Sequence, residues 1–327
     1  FHWPTVARLA ACLLAERARP HLKARRRSLQ PLLALDLFLP LMRRAQPDLA
    51  TFYTNHVAAN MHRFWAAGFP DDVDENPMPA DWRAKYAGEI DYAMQVLDVM
   101  LGRLRAYADA ADTLLLVASS IGQAAVPATR IKGFTTIVDL ERFMARLGLD
   151  RGDWQRKPAM VPCLSVQVDP AKADAFEARL SSLSIGGRRV RKARHEGHEP
   201  FTYDRKGEGF HLFVYFEALD LGAEDLGLGF FAHQEEVGCS GRHTPFGSLL
   251  VYDPRRAAAP QPRATASTLA IAPALLANFG IPAPRYMAAA DPRLLDVSQA
   301  AARGAPWFRG GGVETPVRRL EPQAVQY

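Results

Sequence analysis

Apolar positions recur at three- and four-residue spacing through residues 5–45, which predicts helices. VARLAACLLAERA forms the first, and Pro20 breaks it. LQPLLALDLFLPLMRRA forms the second, with Pro31 near its start and Pro40 as its kink or end. Asp36 falls inside this helical pattern and reads as ordinary. After Pro47 and Asp48, the aromatic, β-leaning LATFYT predicts a short buried strand. AANMHRFWAAGFPDD then predicts a loop or helical turn ending at Pro70. Residues 81–108 carry the clearest helical stripe, with Tyr92, Val96, Val99, Met100 and Leu104 on one side. A DAAD turn leads from it into the strand TLLLVAS. Strand, helix, strand, with a helix long enough for a right-handed crossover, predicts an α/β fold with a mostly parallel sheet flanked by helices.

The pattern changes over residues 146–238. VPCLSVQVDP alternates as a strand, AKADAFEARLSSL is a short amphipathic helix, and GFHLFVYFEAL is strongly β-patterned behind Gly207 and Gly209. These predict an inserted α+β subdomain of the cap type. Core-like elements return at 247–287. GSLLVYDP is a strand, and ASTLAIAPALLANFGIPAP is a helix with Gly280 as its stop and Pro282 beyond. The organisation expected is an N-terminal helical segment (1–45), a first core part (46–145), the cap-like insertion (146–238), a second core part (239–290) and an extended tail (291–327).

The 327 residues are 48% hydrophobic, enough for one large domain or two smaller ones. The net charge of +5 is concentrated in ERARPHLKARRRS (16–28) and GGRRVRKARHEGH (186–198), while DDVDENP (71–77) is acidic. Each basic run is either a solvated face or an attractor of an anionic substrate, phospholipid headgroup or nucleic acid. Neither carries interleaved aromatics, which disfavours a single-stranded nucleic-acid groove. The cysteines, Cys12, Cys163 and Cys239, are widely spaced and make no zinc pattern, as suits a reducing, cytoplasmic compartment. There is no apolar run of about 18 residues, so no membrane span is expected. The first residue is Phe1, which reads as a processed, truncated or partial chain.

Three stretches in order resemble the alkaline phosphatase superfamily, on its type I phosphodiesterase and nucleotide pyrophosphatase-like branch. PDLATFYTNHVAANMHRFW is similar to the strand and loop that end in an Asp-x-x-x-His metal pair. YAMQVLDVMLGRLRAYADAADTLLLVASSIGQ is similar to the helix, strand and Asp-His-Gly turn. HTPFGSLLVYDP with ASTLAIAPALLANFGIPAPRYM is similar to the His-x-x-x-Gly strand and the helix after it. Together they cover about two-fifths of the chain. The resemblance implies a divalent-metal enzyme, usually with two zinc ions about 4 Å apart, that acts on phosphate or sulfate esters through a Thr or Ser nucleophile.

Carried over position by position, the resemblance assigns His62 and His243 to one metal site, with Ala58 where that site's Asp would stand. Ser120 and Ile121 occupy the Asp and His positions of the other site, and Gly122 matches the glycine. Ser119 and Ser120 become pocket-lining candidates; Asn55, His56, Asn60 and Arg242 become candidates for substrate contact. Each His also has a plain packing or surface role open to it, and Asn55, His56 and Asn60 suit loop hydrogen bonding. His211 reads as structural within its strand. His195 and His198 read as a solvated loop, as do His233, Glu235, Glu236 and Cys239.

Residues 1–45 lack the family's first Asp-bearing strand and its nucleophile, so the resemblance is to the latter part of a member. It implies a phospho- or sulfoester hydrolase or transferase with an incomplete metal set, acting on an anionic small molecule or headgroup. An added segment or a second chain would then supply the nucleophile. The other reading is a non-catalytic relative that binds an anionic ligand or acts as a scaffold.

Overall fold

A computed structural model describes residues 2–73, 76–159, 163–185, 187–192, 201–214, 216–217, 224–255 and 264–291. Three N-terminal segments pack as helices. α1 (Trp3–Ala18) ends before Pro20, and α2 (Arg26–Ala45) follows a short 3-10 turn. Pro40 neither ends nor interrupts α2, which runs on to Ala45. The missing N–H at Pro40 is tolerated because Leu32, Leu35 and Leu39 are held in a core with Cys12, Val96 and Met100. Asp36 is more than the ordinary helical residue expected. It is buried at 4% exposure, pairs with Arg103 at 2.6 Å, and accepts hydrogen bonds from the His2 backbone N–H and the Thr5 hydroxyl. These bonds tie α1, α2 and the long helix behind them together.

The first basic run belongs partly to this packing. Arg26 forks onto Glu16, while Arg25 binds the buried Glu89 and lies 4.4 Å over the Tyr92 ring.

LATFYT is not a strand. Residues 49–55 are irregular and join no ladder among the described residues, Tyr53 is 85% exposed, and Phe52 packs on Phe38. β propensity alone does not make a strand where no neighbour offers a ladder. The next stretch is a full helix, α3 (His56–Gly68), in place of the expected loop or single turn. Its Phe64, Ala66 and Ala67 are buried with Trp82, Tyr86 and Ile90. The helix expected over 81–108 divides into α4 (Ala80–Tyr86) and α5 (Glu89–Ala111) around Gly88. Its stripe is as read: Val96 and Met100 are buried, with Tyr92, Val99 and Leu104 against them.

β1 (Leu115–Ser119) follows, then β2 (Gly122–Ile137), α6 (Leu140–Arg146), β3 (Trp154–Lys157), β4 (Cys163–Val168) and α7 (Pro170–Ser182). Short strands β5 (Ser184–Ile185), β6 (Arg188–Arg189) and β7 (Arg191–Lys192) precede β8 (Phe201–Lys206), β9 (Gly209–Val214) and β10 (Phe216–Glu217). The long β11 (Leu228–Thr244), β12 (Ser248–Tyr252) and α8 (Ile271–Asn278) complete the described elements, and α8 stops two residues before Gly280.

The fold is mixed α/β, but its described ladders are antiparallel except β7 with β8. Among the described residues the expected parallel crossover is absent: no strand there precedes α5 for β1 to join, and β1 pairs antiparallel with β12. The α+β character expected after residue 146 is present in the five-stranded sheet β3-β4-β9-β8-β7. Phe176 and Leu180 of α7 fill its core with Val166, Phe210 and Leu212. β2 and β11 pair antiparallel over most of their length, on either side of this unit in the chain. Of the basic run 186–198, residues 186 and 193–198 lie outside the described residues, with His195 and His198. All but Asp291 of the expected tail does too. The side chains of His233, Glu235, Glu236 and Cys239 are likewise outside them. His211 sits exposed on β9, opposite Ser165 and Asp204.

Candidate functional site

α3 lies against β11, and the contact depends on glycine. A Cβ on Gly241 would stand 2.6 Å from the Met61 carbonyl oxygen and 3.4 Å from the His62 Cα. With only hydrogen there, the helix backbone seats directly on the strand. Ser240, fully buried beside it, accepts the Ala66 N–H at 2.9 Å and secures the same contact from its neighbouring residue.

This seating brings His62 and His243 together from positions 181 apart in the chain. Their Nε2 atoms are 3.3 Å apart and their rings meet edge-on, with centroids at 4.6 Å. His62 Nδ1 lies 2.6 Å from the Gly241 carbonyl oxygen. A carbonyl only accepts, so Nδ1 carries a proton; in the neutral ring Nε2 is then the acceptor. On β2, Gln123 stands opposite His243 in the ladder, with its Nε2 2.9 Å from His243 Nδ1 and 3.2 Å from His62 Nε2. Its Oε1 is buried without a hydrogen-bond partner. Nothing in the sequence pointed to Gln123; only the β2–β11 register, formed across more than a hundred residues, puts it there.

Two nitrogens bound to one zinc at about 2.0–2.1 Å in tetrahedral geometry stand about 3.3–3.4 Å apart. The spacing of the two Nε2 atoms therefore fits one edge of such a site. The donor set is partial. Ala58, one turn before His62 on the same side of α3, offers no ligand. Among the described residues there is no group of three or more His, Cys, Asp and Glu side chains that could hold a metal ion.

The other candidates are placed as follows. His56 and Asn60 form a stripe on the opposite side of α3 from His62 and are buried, at 5% and 3% exposure. His56 accepts from the Thr54 hydroxyl at Nδ1 and donates from Nε2 to the Ala93 carbonyl; burial holds its pKa below the ordinary imidazole value, against that carbonyl bond. Asn60 donates to the Ser28 hydroxyl and the His56 carbonyl. Both side chains are engaged in helix packing and are not brought to the His62–His243 pair. Asn55 is exposed at the N-cap position of α3 and makes no cap hydrogen bond.

Ser119 ends β1 opposite Ser248, and its hydroxyl donates to the Ile121 carbonyl at 2.5 Å. Ser120 and Ile121 are exposed in the turn that leads to Gly122 and Gln123. Arg242, also exposed, alternates to the face of β11 opposite His243. No helix of the described residues is long and apolar enough to cross a membrane. Compared with protein-family models, curated proteins and solved structures, the chain matches none of them.

Proposed function

We propose that the protein handles phospho- or sulfoesters as a hydrolase or transferase of the alkaline phosphatase superfamily kind, with a reduced metal site of one divalent cation held by His62 and His243. The observation that carries this reading is the 3.3 Å approach of the two Nε2 atoms, with His62 turned by the Gly241 carbonyl so that its lone pair faces the partner ring. A divalent cation there would supply Lewis-acid polarisation of an ester oxygen. The chain's own part is to orient: Gly241 fixes the ring of His62 and the β2–β11 register fixes His243. Ser120 and Ile121, at the positions of the family's second metal site, offer it no carboxylate or imidazole.

On this reading the sheet containing β4 and β9, with α7, is the cap-like insertion. β1 and β12, an antiparallel pair, belong to a larger sheet completed by a second chain, which also brings the nucleophile. Support comes from the apolar character of both faces of the ribbon. Leu250 and Val251 of β12 are 55% and 40% exposed in a continuous Leu-Leu-Val run, as expected of strands covered on both sides.

The second reading is an anion-binding module without catalysis, favoured by the incomplete donor set around His62 and His243. Calorimetric titration with zinc and a panel of phosphate and sulfate esters separate the two. The enzyme reading expects one bound ion, lost in His62→Ala and His243→Ala, and ester cleavage that follows the ion. Ion binding with no cleavage, measured with the nucleophile-bearing chain present, leaves the binding module. No ion and no cleavage defeats the proposed enzyme.

A further inference from the structure

A surface helix ordinarily turns its polar side to water, and α1 does the reverse. Its covered side carries Thr5 and Glu16 together with Leu9 and Cys12; Asp36 holds Thr5 there and Arg26 holds Glu16. Trp3, Val6, Ala10, Leu13 and Leu14 fall together on the outward side, where Trp3 is 75% and Leu14 64% exposed. Among the exposed residues of α1, Arg17 alone is polar. α2 repeats the pattern in part, with Leu37 and Leu41 exposed two turns and one turn before Arg44.

An apolar helix side of this length calls for a cover, and the charge around it selects which. Residues 1–45 hold nine Lys and Arg against Glu16 and Asp36, an excess of seven where the whole chain has an excess of five. Both carboxylates are already taken up, Glu16 by Arg26 and Asp36 by Arg103. Arg17, Arg19 and Lys23 stand exposed at the C-terminal end of α1 and in the turn after it. A second copy of the chain would bring two such positive surfaces together, which like charges oppose. A nucleic acid would meet the cations but leave Trp3, Val6, Leu13 and Leu14 without an apolar seat. An anionic bilayer meets both needs: its phosphates face the cations, and its acyl boundary takes the aliphatic side chains and the tryptophan, a residue suited to that boundary.

We propose that α1 docks the protein on an anionic membrane surface, lying in the interface plane with its outward side in the acyl boundary and Arg17, Arg19 and Lys23 at the headgroup phosphates. This docking uses neither His62 nor His243, so it stands apart from the cation reading of that pair. It holds the protein at a surface rich in phosphoesters.

The test is flotation of the full chain with vesicles of phosphatidylcholine alone and of phosphatidylcholine and phosphatidylglycerol in equal parts. Binding to the anionic vesicles and little to the neutral ones is expected. Brominated acyl chains should quench the tryptophan fluorescence of the bound wild type and far less that of Trp3→Phe. Leu13→Gln with Leu14→Gln should weaken binding more than about tenfold. Arg17→Gln with Arg19→Gln should weaken it about fivefold for each cation removed. All four positions are exposed, so the far-UV circular dichroism of both variants should match the wild type. Leu269→Gln, at a leucine exposed elsewhere, should bind as the wild type does. No binding to anionic vesicles, or equal binding to neutral ones, overturns the docking. So does anionic binding that survives the leucine changes and falls only with the arginines, which is diffuse charge attraction without insertion. A DNA duplex bound more tightly than the anionic vesicles, or a dimer that dissociates in the leucine variant, gives the surface to those occupants and overturns the membrane.

Discussion

Replacing Gly241 with alanine adds one methyl group at the contact on which the site is built. That carbon would lie 2.6 Å from the Met61 carbonyl oxygen and 3.0 Å from its carbon, both helix backbone, where ordinary contact begins at 3.4 Å. α3 must therefore retreat by close to an ångström, which takes the 2.6 Å bond from His62 Nδ1 to the Gly241 carbonyl to the limit of hydrogen bonding. Overpacking of this kind costs about 1–3 kcal/mol. The weakened bond adds about 1 kcal/mol. The stiffer unfolded chain returns about 0.4–1 kcal/mol, so a net loss of about 2–3 kcal/mol is expected. Urea denaturation followed by far-UV circular dichroism reads the loss as a lower midpoint with unchanged slope. On the proposed cation reading, zinc affinity, by competition with a chromophoric chelator, should fall at least about tenfold as His62 swings off its orientation. Gly102→Ala is the control: it lies within α5, nothing stands within 4 Å of its added Cβ, and it should stabilise by about 0.5–1 kcal/mol. A Gly241→Ala protein as stable as the wild type, with equal zinc affinity, would refute the claim that this close approach seats His62.

Asp36→Asn should cost about 3 kcal/mol by urea denaturation, because it leaves Arg103 without its carboxylate in a largely buried setting. Burial pushes the Asp36 carboxyl up, but hydrogen bonds from His2 and Arg103 outweigh it and hold the group below its ordinary value. Its contribution is thus complete above the unfolded carboxylate pKa and is lost as pH falls through the lower folded value, so the variant should lose part of the wild type's acid sensitivity. Tyr203 is pushed up to about 12 by burial and by its bond to Glu177. The raised value favours the folded state below the unfolded pKa of about 10 and gives that up as pH rises toward 12. Tyr203→Phe should therefore flatten the alkaline fall of the urea midpoint; an unchanged alkaline profile would count against the assignment. Leu180→Ala removes a fully buried side chain between α7 and its sheet and should cost about 2–5 kcal/mol, seen as a lower thermal midpoint.

Periodicity along the chain was sufficient for the elements whose packing is local. The stripe from Tyr92 to Leu104, the helix at 170–182 and the alternating strands at 163–168 and 209–214 each carry their own repeat, and each is where the repeat says. Pairings between distant segments were beyond it. β2 reads GQAAVPATRIKGFTTI, with a proline and two glycines, and is a strand only because β11 offers it a ladder. LATFYT has the better β composition and finds no partner. α3 contains an asparagine and two histidines, weak helix formers, and is held by burial of Phe64, Ala66 and Ala67.

The same division runs through the site. His62 and His243 could be named from the chain by resemblance, because a motif is a local object. That their Nε2 atoms meet at 3.3 Å, that Gly241 admits α3 against β11, and that Gln123 faces both rings are products of three segments folding together. By itself the sequence located the helices and short strands that carry their own repeat and the histidines worth attention. The tertiary structure decided that the ladders of the described residues are mainly antiparallel and that His56 and Asn60 turn into helix packing. It also decided that a glutamine, carrying no chemical signal of its own, completes the cluster. The physical reason is one of range: side-chain periodicity records burial within an element, whereas register and convergence are set by backbone ladders and close contacts between residues far apart in the chain.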